Sequence, residues 1–166
     1  MITRKKSNSL FEIVSKSPNQ TKKIGENLAK RILKTKTKKE AFILGLEGDL
    51  GGGKTTFLKG FAKGLGIKKK ILSPTFVIMK RFIIKNSKFK NFYHIDCYRI
   101  KKPKEVLDLG FKGIISKAEN IVVIEWAERV KRILPKNTIW IKFKFTGEKE
   151  RKIFIKYGQG KKASYY

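Results

Sequence analysis

Apolar residues fall into short blocks along the chain, and their spacing changes from block to block. Ile24, Leu28 and Ile32 recur every four residues, the period that lines one side of an α-helix. Ser17-Pro18-Asn19-Gln20 stands just before them and resembles a capping box with proline at the first helical position. A helix is therefore expected to start there and to end in the Lys/Thr-rich turn Lys34 to Lys39, with Ser9 to Val14 as a short strand ahead of it. Ala41 to Leu46 is a compact apolar run closed by a glycine-rich turn, and Thr55 to Leu65 then carries Phe57, Phe61 and Leu65 on one helical face. This block predicts strand, loop and helix.

Further strands are expected at Ile71 to Phe82, around a Ser73-Pro74 break, and at Phe89 to Ile100, Ile121 to Glu125, Thr138 to Phe145 and Lys152 to Tyr157. The last two, joined by Gly147-Glu148-Lys149-Glu150, read as a hairpin. Short helices fit Pro103 to Leu109, Phe111 to Ala118 and Ala127 to Leu134. Strands alternating with helices predict an α/β fold in which a sheet is flanked by helices and the C-terminal hairpin adds antiparallel edge strands. No repeat or linker divides the chain, so residues 1–166 are expected to form one domain with a frayed tail at about 158–166.

Composition narrows the class. The apolar content of 40% is too high for a disordered chain, and the apolar runs are too short and too often broken by charge to cross a bilayer. The opening MITRKKSNSLFEIV is basic but lacks the apolar stretch of a signal peptide, so a cytoplasmic location is expected. Cys97, the single cysteine, has no disulfide partner and no second thiol for a metal or redox pair, which leaves it a buried filler. The net charge of +28 would suit a nucleic-acid surface. Most of the basic residues are lysines scattered along the chain, however, where a phosphate-reading surface tends to recruit clustered arginine.

Gly48-Asp49-Leu50-Gly51-Gly52-Gly53-Lys54-Thr55 fits the pattern G-x-x-x-x-G-K-[ST], in which flexible glycines let main-chain N–H groups wrap phosphates. An apolar strand before it and an amphipathic helix after it are the surroundings a P-loop requires. Asp49, Gly51, Gly52, Gly53, Lys54, Thr55 and Thr56 then form the nucleotide cradle of a P-loop NTPase-like sheet. Lys54 would reach the β- and γ-phosphates and Thr55 would offer its hydroxyl to Mg2+. Such a site also needs a carboxylate at a neighbouring strand end. Asp96 and Glu125 both qualify; Asp96 is expected toward the metal and Glu125 toward metal-bound or attacking water, although strand position alone does not divide these roles.

His94, Asp96 and Tyr98 alternate and so share one strand face, with Arg99 on the other. His94 is expected to orient Asp96, and Arg99 to serve either transferred phosphate or a structural ion pair. Thr75, in Ser73-Pro74-Thr75-Phe76, is the candidate γ-phosphate sensor. The absence of an Asn-Lys-x-Asp run favours ATP over GTP. Two other readings stay open: a P-loop small-molecule kinase with Arg129 and Arg132 as its phosphate clamp, and a basic RNA-binding protein with a degenerate P-loop.

Taken together, GDLGGGKTT (48–56), SPTF (73–76), HIDCYR (94–99) and IEWAE (124–128) resemble the TsaE family, also called YjeE, in order and spacing from about Leu10 to about Phe145. The resemblance implies an ATPase required for threonylcarbamoyladenosine formation beside the anticodon of tRNA, acting with TsaB and TsaD and meeting tRNA indirectly or transiently. It implies ATP and Mg2+ as ligands, with Lys54 and Thr55 at the phosphates and metal, Asp96 and Glu125 as the acidic residues, and Trp126 as the adjacent tryptophan at the nucleotide. Gly52 stands where the family usually has alanine, Phe82 where tyrosine often ends the SPTF strand, and Ala127 where proline commonly follows Glu-Trp.

Overall fold

The structure is a computed structural model and describes residues 2–4, 10–36, 39–71, 77–85, 87–147 and 150–158. The helix α1, Pro18–Lys34, begins as its sequence predicts: the Ser17 side chain accepts from the Gln20 amide, and the Gln20 side chain accepts from the Lys16 amide at 2.7 Å. The first bond satisfies a main-chain donor that the first helical turn leaves without a partner, and the second ties the residue ahead of the cap back to the helix. Leu28, Ala29 and Ile32 are buried along one side.

Among the described residues, eight strands form one sheet. In chain order they are β1 (Ile2–Arg4), β2 (Leu10–Ser15), β3 (Phe42–Gly48), β4 (Met79–Ile83), β5 (Asn91–Asp96), β6 (Asn120–Glu125), β7 (Ile139–Phe145) and β8 (Arg151–Lys156), and their spatial order is β1-β2-β8-β7-β3-β6-β5-β4. The centre β7-β3-β6-β5 is parallel and the outer pairs are antiparallel. The C-terminal hairpin is β7–β8, as expected, but it does not lie at the edge: β2 covers β8 along six residue pairs, and β1 closes that side. Neither β1 nor the antiparallel pairing of β4 with β5 is visible in the chain's periodicity.

One face of the sheet packs under α1 and α2 (Lys54–Gly64), with Phe42, Leu44, Phe57, Phe61, Phe92 and Phe143 among the enclosed side chains. The two helices cross closely because of glycine. A Cβ on Gly25 would collide with the Phe57 carbonyl oxygen, and one on Gly60 with that of Lys22. The other face is covered by α3 (Lys104–Leu107), α4 (Phe111–Ile115) and the segment Ala127–Ile133, which bury Val106, Phe111 and Val130 against Ile43, Ile95, Val122 and Ile124. With both faces covered, β6 is buried at every position, the expected state of a central parallel strand.

Several expected elements differ in extent, among them the helices expected at Pro103 to Leu109 and Phe111 to Ala118, which are shorter. The strand proposed from Ile71 starts at Met79, with 72–76 outside the described residues. The strand proposed to Ile100 ends at Asp96, where the chain turns. The short helix expected at Ala127 to Leu134 is a 3₁₀ helix, Ala127–Ile133, interrupted at Val130 (φ −119°, ψ 15°). Of the proposed tail only Gly158 is described. No helix among the described residues is long and apolar enough to cross a membrane.

Candidate nucleotide site

The P-loop joins the C-terminal end of β3 to the start of α2 at the centre of the parallel strands, where open α/β sheets gather ligands. Its shape depends on backbone that other residues rarely adopt: Gly48, Gly51 and Gly53 have φ of 130°, 72° and 105°. At Gly48 a Cβ would also strike the Phe143 carbonyl oxygen. Gly53 is the cap of α2, and no side chain caps that helix, so its first-turn N–H groups are aimed outward as an anion site.

A cleft of about 590 Å³ opens above this loop. Gly51, Gly52, Gly53, Lys54, Thr55, Thr56, Asp96, Glu125 and Trp126 all border it, so the cleft unites nearly every residue that the sequence assigns to a nucleotide. Asp49 takes a different place. Its main-chain oxygen accepts from the Gly52 amide at 3.0 Å and from Lys54 Nζ at 2.8 Å, and its exposed side chain borders the neighbouring cavity. Thr75 lies outside the described residues.

Lys54 is 5% exposed. Its ammonium donates to the carbonyls of Gly48 and Asp49 and stands 3.8 Å from the centre of the Trp126 ring. Burial pushes its pKa below that of a free lysine, against the opposing pull of Glu125, Glu128, Asp49 and Asp96. Trp126 holds φ 58°, ψ 41°, the left-handed region that costs a bulky side chain about 1–3 kcal/mol. That turn brings the indole back over the loop, where Tyr98 packs on it at 5.1 Å.

The two acidic residues face each other in register, Asp96 on β5 beside Glu125 on β6. Their surroundings differ. Glu125 is 2% exposed; its Oε2 accepts from the Thr55 hydroxyl at 2.9 Å, and its Oε1 lies 2.9 Å from His94 Nε2. Asp96 is half-buried, and its Oδ1 accepts from the Tyr98 amide at 2.9 Å. The contact with the Thr55 hydroxyl thus belongs to Glu125, and His94 bonds to Glu125, where the sequence reading had aimed it at Asp96.

Arg99 also borders the cleft, because the chain leaves strand geometry after Asp96 and the alternation that would turn Arg99 away no longer holds. It makes no ion pair among the described residues. Arg129, the clamp of a kinase reading, instead lies over the rings of Tyr98 and Trp126 and donates to the Ile100 carbonyl. Sequence reasoning missed Leu50, Val77 and Glu105 on the cleft wall. Only Leu50, an apolar residue inside a glycine loop, carries a local signal of exposure.

A model of the family described as "Threonylcarbamoyl adenosine biosynthesis protein TsaE" matches residues 15–153. The chain belongs to the TsaE family. The tRNA threonylcarbamoyladenosine biosynthesis protein TsaE of Bacillus subtilis is 39% identical over 137 residues, 82% of this chain and 79% of the relative. That of Rickettsia prowazekii is 39% identical over 132 residues, 79% of this chain and 87% of the relative. The crystal structure of Bacillus subtilis YdiB superposes with a TM-score of 0.67 at 32% identity, covering 95% of this chain and 88% of that one. The P-loop architecture expected from GDLGGGKTT is therefore the family's own fold.

Proposed function

We propose that this TsaE-family chain binds Mg-ATP in the cleft over Gly48 to Thr55 and hydrolyses its terminal phosphate bond, and that this cycle serves threonylcarbamoyladenosine formation on tRNA in the cytoplasm with TsaB and TsaD. The observation that carries the reading is the hydrogen bond from Thr55 to Glu125 at the head of α2. A helix-start hydroxyl joined to a strand-end carboxylate is a hard oxygen donor set, and Mg2+ takes one or two such protein oxygens together with phosphate and water. The uncapped N–H groups of α2 and the glycine loop fit a polyphosphate in the same way.

Bound Mg2+ supplies charge neutralisation at the phosphate oxygens. Lys54, which now donates to the carbonyls of Gly48 and Asp49, would turn to the β- and γ-phosphate oxygens, and Thr55, Glu125 and Asp96 would hold the metal and its waters. The Trp126 ring lies against the Lys54 ammonium, with the ring centre 3.8 Å away. Arg129 is held against two rings and Arg99 stands at the cleft wall, so Arg129 is not the group that completes the site, and hydrolysis is slow until a partner does.

Phosphate release from ATP by the purified protein, alone and with TsaB–TsaD, tests the proposal. Wild type should release phosphate slowly alone and faster with the partners, and Lys54→Ala should lower the rate about 100-fold or more, the scale of losing one fixed cationic or hydrogen-bonding group at a developing charge. Absence of release by wild type in every combination would overturn the reading.

A further inference from the structure

His94, the only histidine of the chain, is fully enclosed at the C-terminal end of β5, with Phe92 before it on the same face and Val123 beside it in register. A leucine or phenylalanine would fill that space without placing polar atoms in it. An imidazole there costs desolvation unless its nitrogens are used. Only one is: Nε2 lies 2.9 Å from Glu125 Oε1, while the buried Nδ1 has no partner among the described residues. Among the described residues the ring therefore satisfies no main-chain group, and its one hydrogen bond is to the cleft carboxylate.

As a carboxylate Glu125 only accepts, so the ring proton stands on Nε2 and Nε2–H is the donor. Glu125 then has one oxygen held from below by a ring fixed in the core and the other held from above by the Thr55 hydroxyl. Two donors at opposite oxygens set both the position and the plane of the carboxylate. Thr55 belongs to the loop and helix start that meet the ligand, whereas His94 is locked between β4 and β6. The fixed half of the clamp is the histidine.

We propose that His94 is a positioning residue for Glu125: its Nε2–H holds Oε1 so that Oε2 is presented to Thr55 and to the metal of the bound nucleotide. This rests on the Mg-ATP reading above and assigns the part of the site that the carboxylate cannot set for itself. Partners of this kind behind a metal-directed side chain change metal affinity or activity about 10- to 100-fold when removed.

The test compares His94→Phe, which keeps a ring and loses the donor, with His94→Gln, whose amide nitrogen reaches the place of Nε2. Binding of a fluorescent ADP is measured in EDTA and then across a Mg2+ titration, with thermal melting as the control for folding. His94→Phe should bind metal-free nucleotide as wild type does, yet need about 10- to 100-fold more Mg2+ to reach its metal-dependent state. His94→Gln should restore most of that loss. A folded His94→Phe with the wild-type Mg2+ midpoint overturns the assignment, as does a His94→Gln no better than His94→Phe. If His94→Phe does not fold, His94→Asn replaces it, because its shorter amide cannot reach Oε1; equal Mg2+ midpoints for the Asn and Gln variants then overturn the assignment. Wild type that binds nucleotide with no response to Mg2+ overturns the Mg-ATP reading itself, a result the wild-type curve alone reports.

Discussion

The two strands that flank β3 support the P-loop in opposite ways. On one side β7 brings Phe143 beneath the loop: its side chain lies under Gly52 and Gly53, and its ring meets Phe57 edge-on at 5.6 Å. On the other side β6 ends in Glu125 and Trp126, with Asp96 of β5 next in line. The first side is an apolar floor and the second a polar wall. Dispersion and burial act only at contact and favour one tight geometry, so the floor sets the shape of the loop. Charge and hydrogen bonding act on whatever enters the cleft, so the wall sets its chemistry.

That division predicts which substitutions separate stability from activity. Phe143→Ala removes a side chain 1% exposed and should cost about 3–5 kcal/mol in denaturant unfolding, while the folded fraction keeps the wild-type Mg2+ requirement. Glu125→Gln should do the reverse. Glutamine keeps the shape and an oxygen to accept from His94, so melting should change little, whereas the lost charge should lower Mg-dependent hydrolysis about 100-fold, or about 2.7 kcal/mol of barrier. The comparison breaks if Phe143→Ala shifts the Mg2+ midpoint without loss of stability, or if Glu125→Gln unfolds the protein without slowing hydrolysis.

The loop and the acidic residues of the wall were legible in the chain, whereas Phe143 beneath the loop and the contacts within the wall were not. The glycine-lysine-threonine pattern marks the loop because few backbones other than glycine reach the angles at Gly48, Gly51 and Gly53. The aromatic period of α2 likewise marks the face that meets the sheet. Alternation shows that His94 and Asp96 share a face, but it cannot tell which carboxylate the histidine meets, since that follows from the pairing of β5 with β6 across 31 positions of sequence. Trp126 is harder still. A left-handed turn normally announces itself by glycine, asparagine or aspartate, and nothing local signals that an indole adopts it. The resemblance to the TsaE family, and no pattern in the residues, placed Trp126 at the site.

The smallest expected effect tests how tightly the wall is held. Cys97 directly follows Asp96, and its amide donates to the Glu125 carbonyl at 3.0 Å, so the strand ends are tied together at the residue where β5 stops. Its thiol points to the opposite face of the sheet, among Ile43, Ile95 and Ile124. Burial there pushes its pKa up to about 12, with the negative charge of Asp96 adding to the shift. The thiolate is the reactive form, so native protein should react with iodoacetamide at pH 8 only through opening of the strand end, and the rate should rise with denaturant in step with unfolding. The sign of the linkage follows from the same shift: the unfolded thiol ionises at the ordinary thiol pKa while the folded one stays protonated up to about 12, so this contribution to stability is present below the ordinary thiol pKa and is lost as pH climbs toward 12. Rapid labelling of the native protein at pH 8 would place water behind the carboxylates, and a wall open from behind could not hold Glu125 and Asp96 in fixed register.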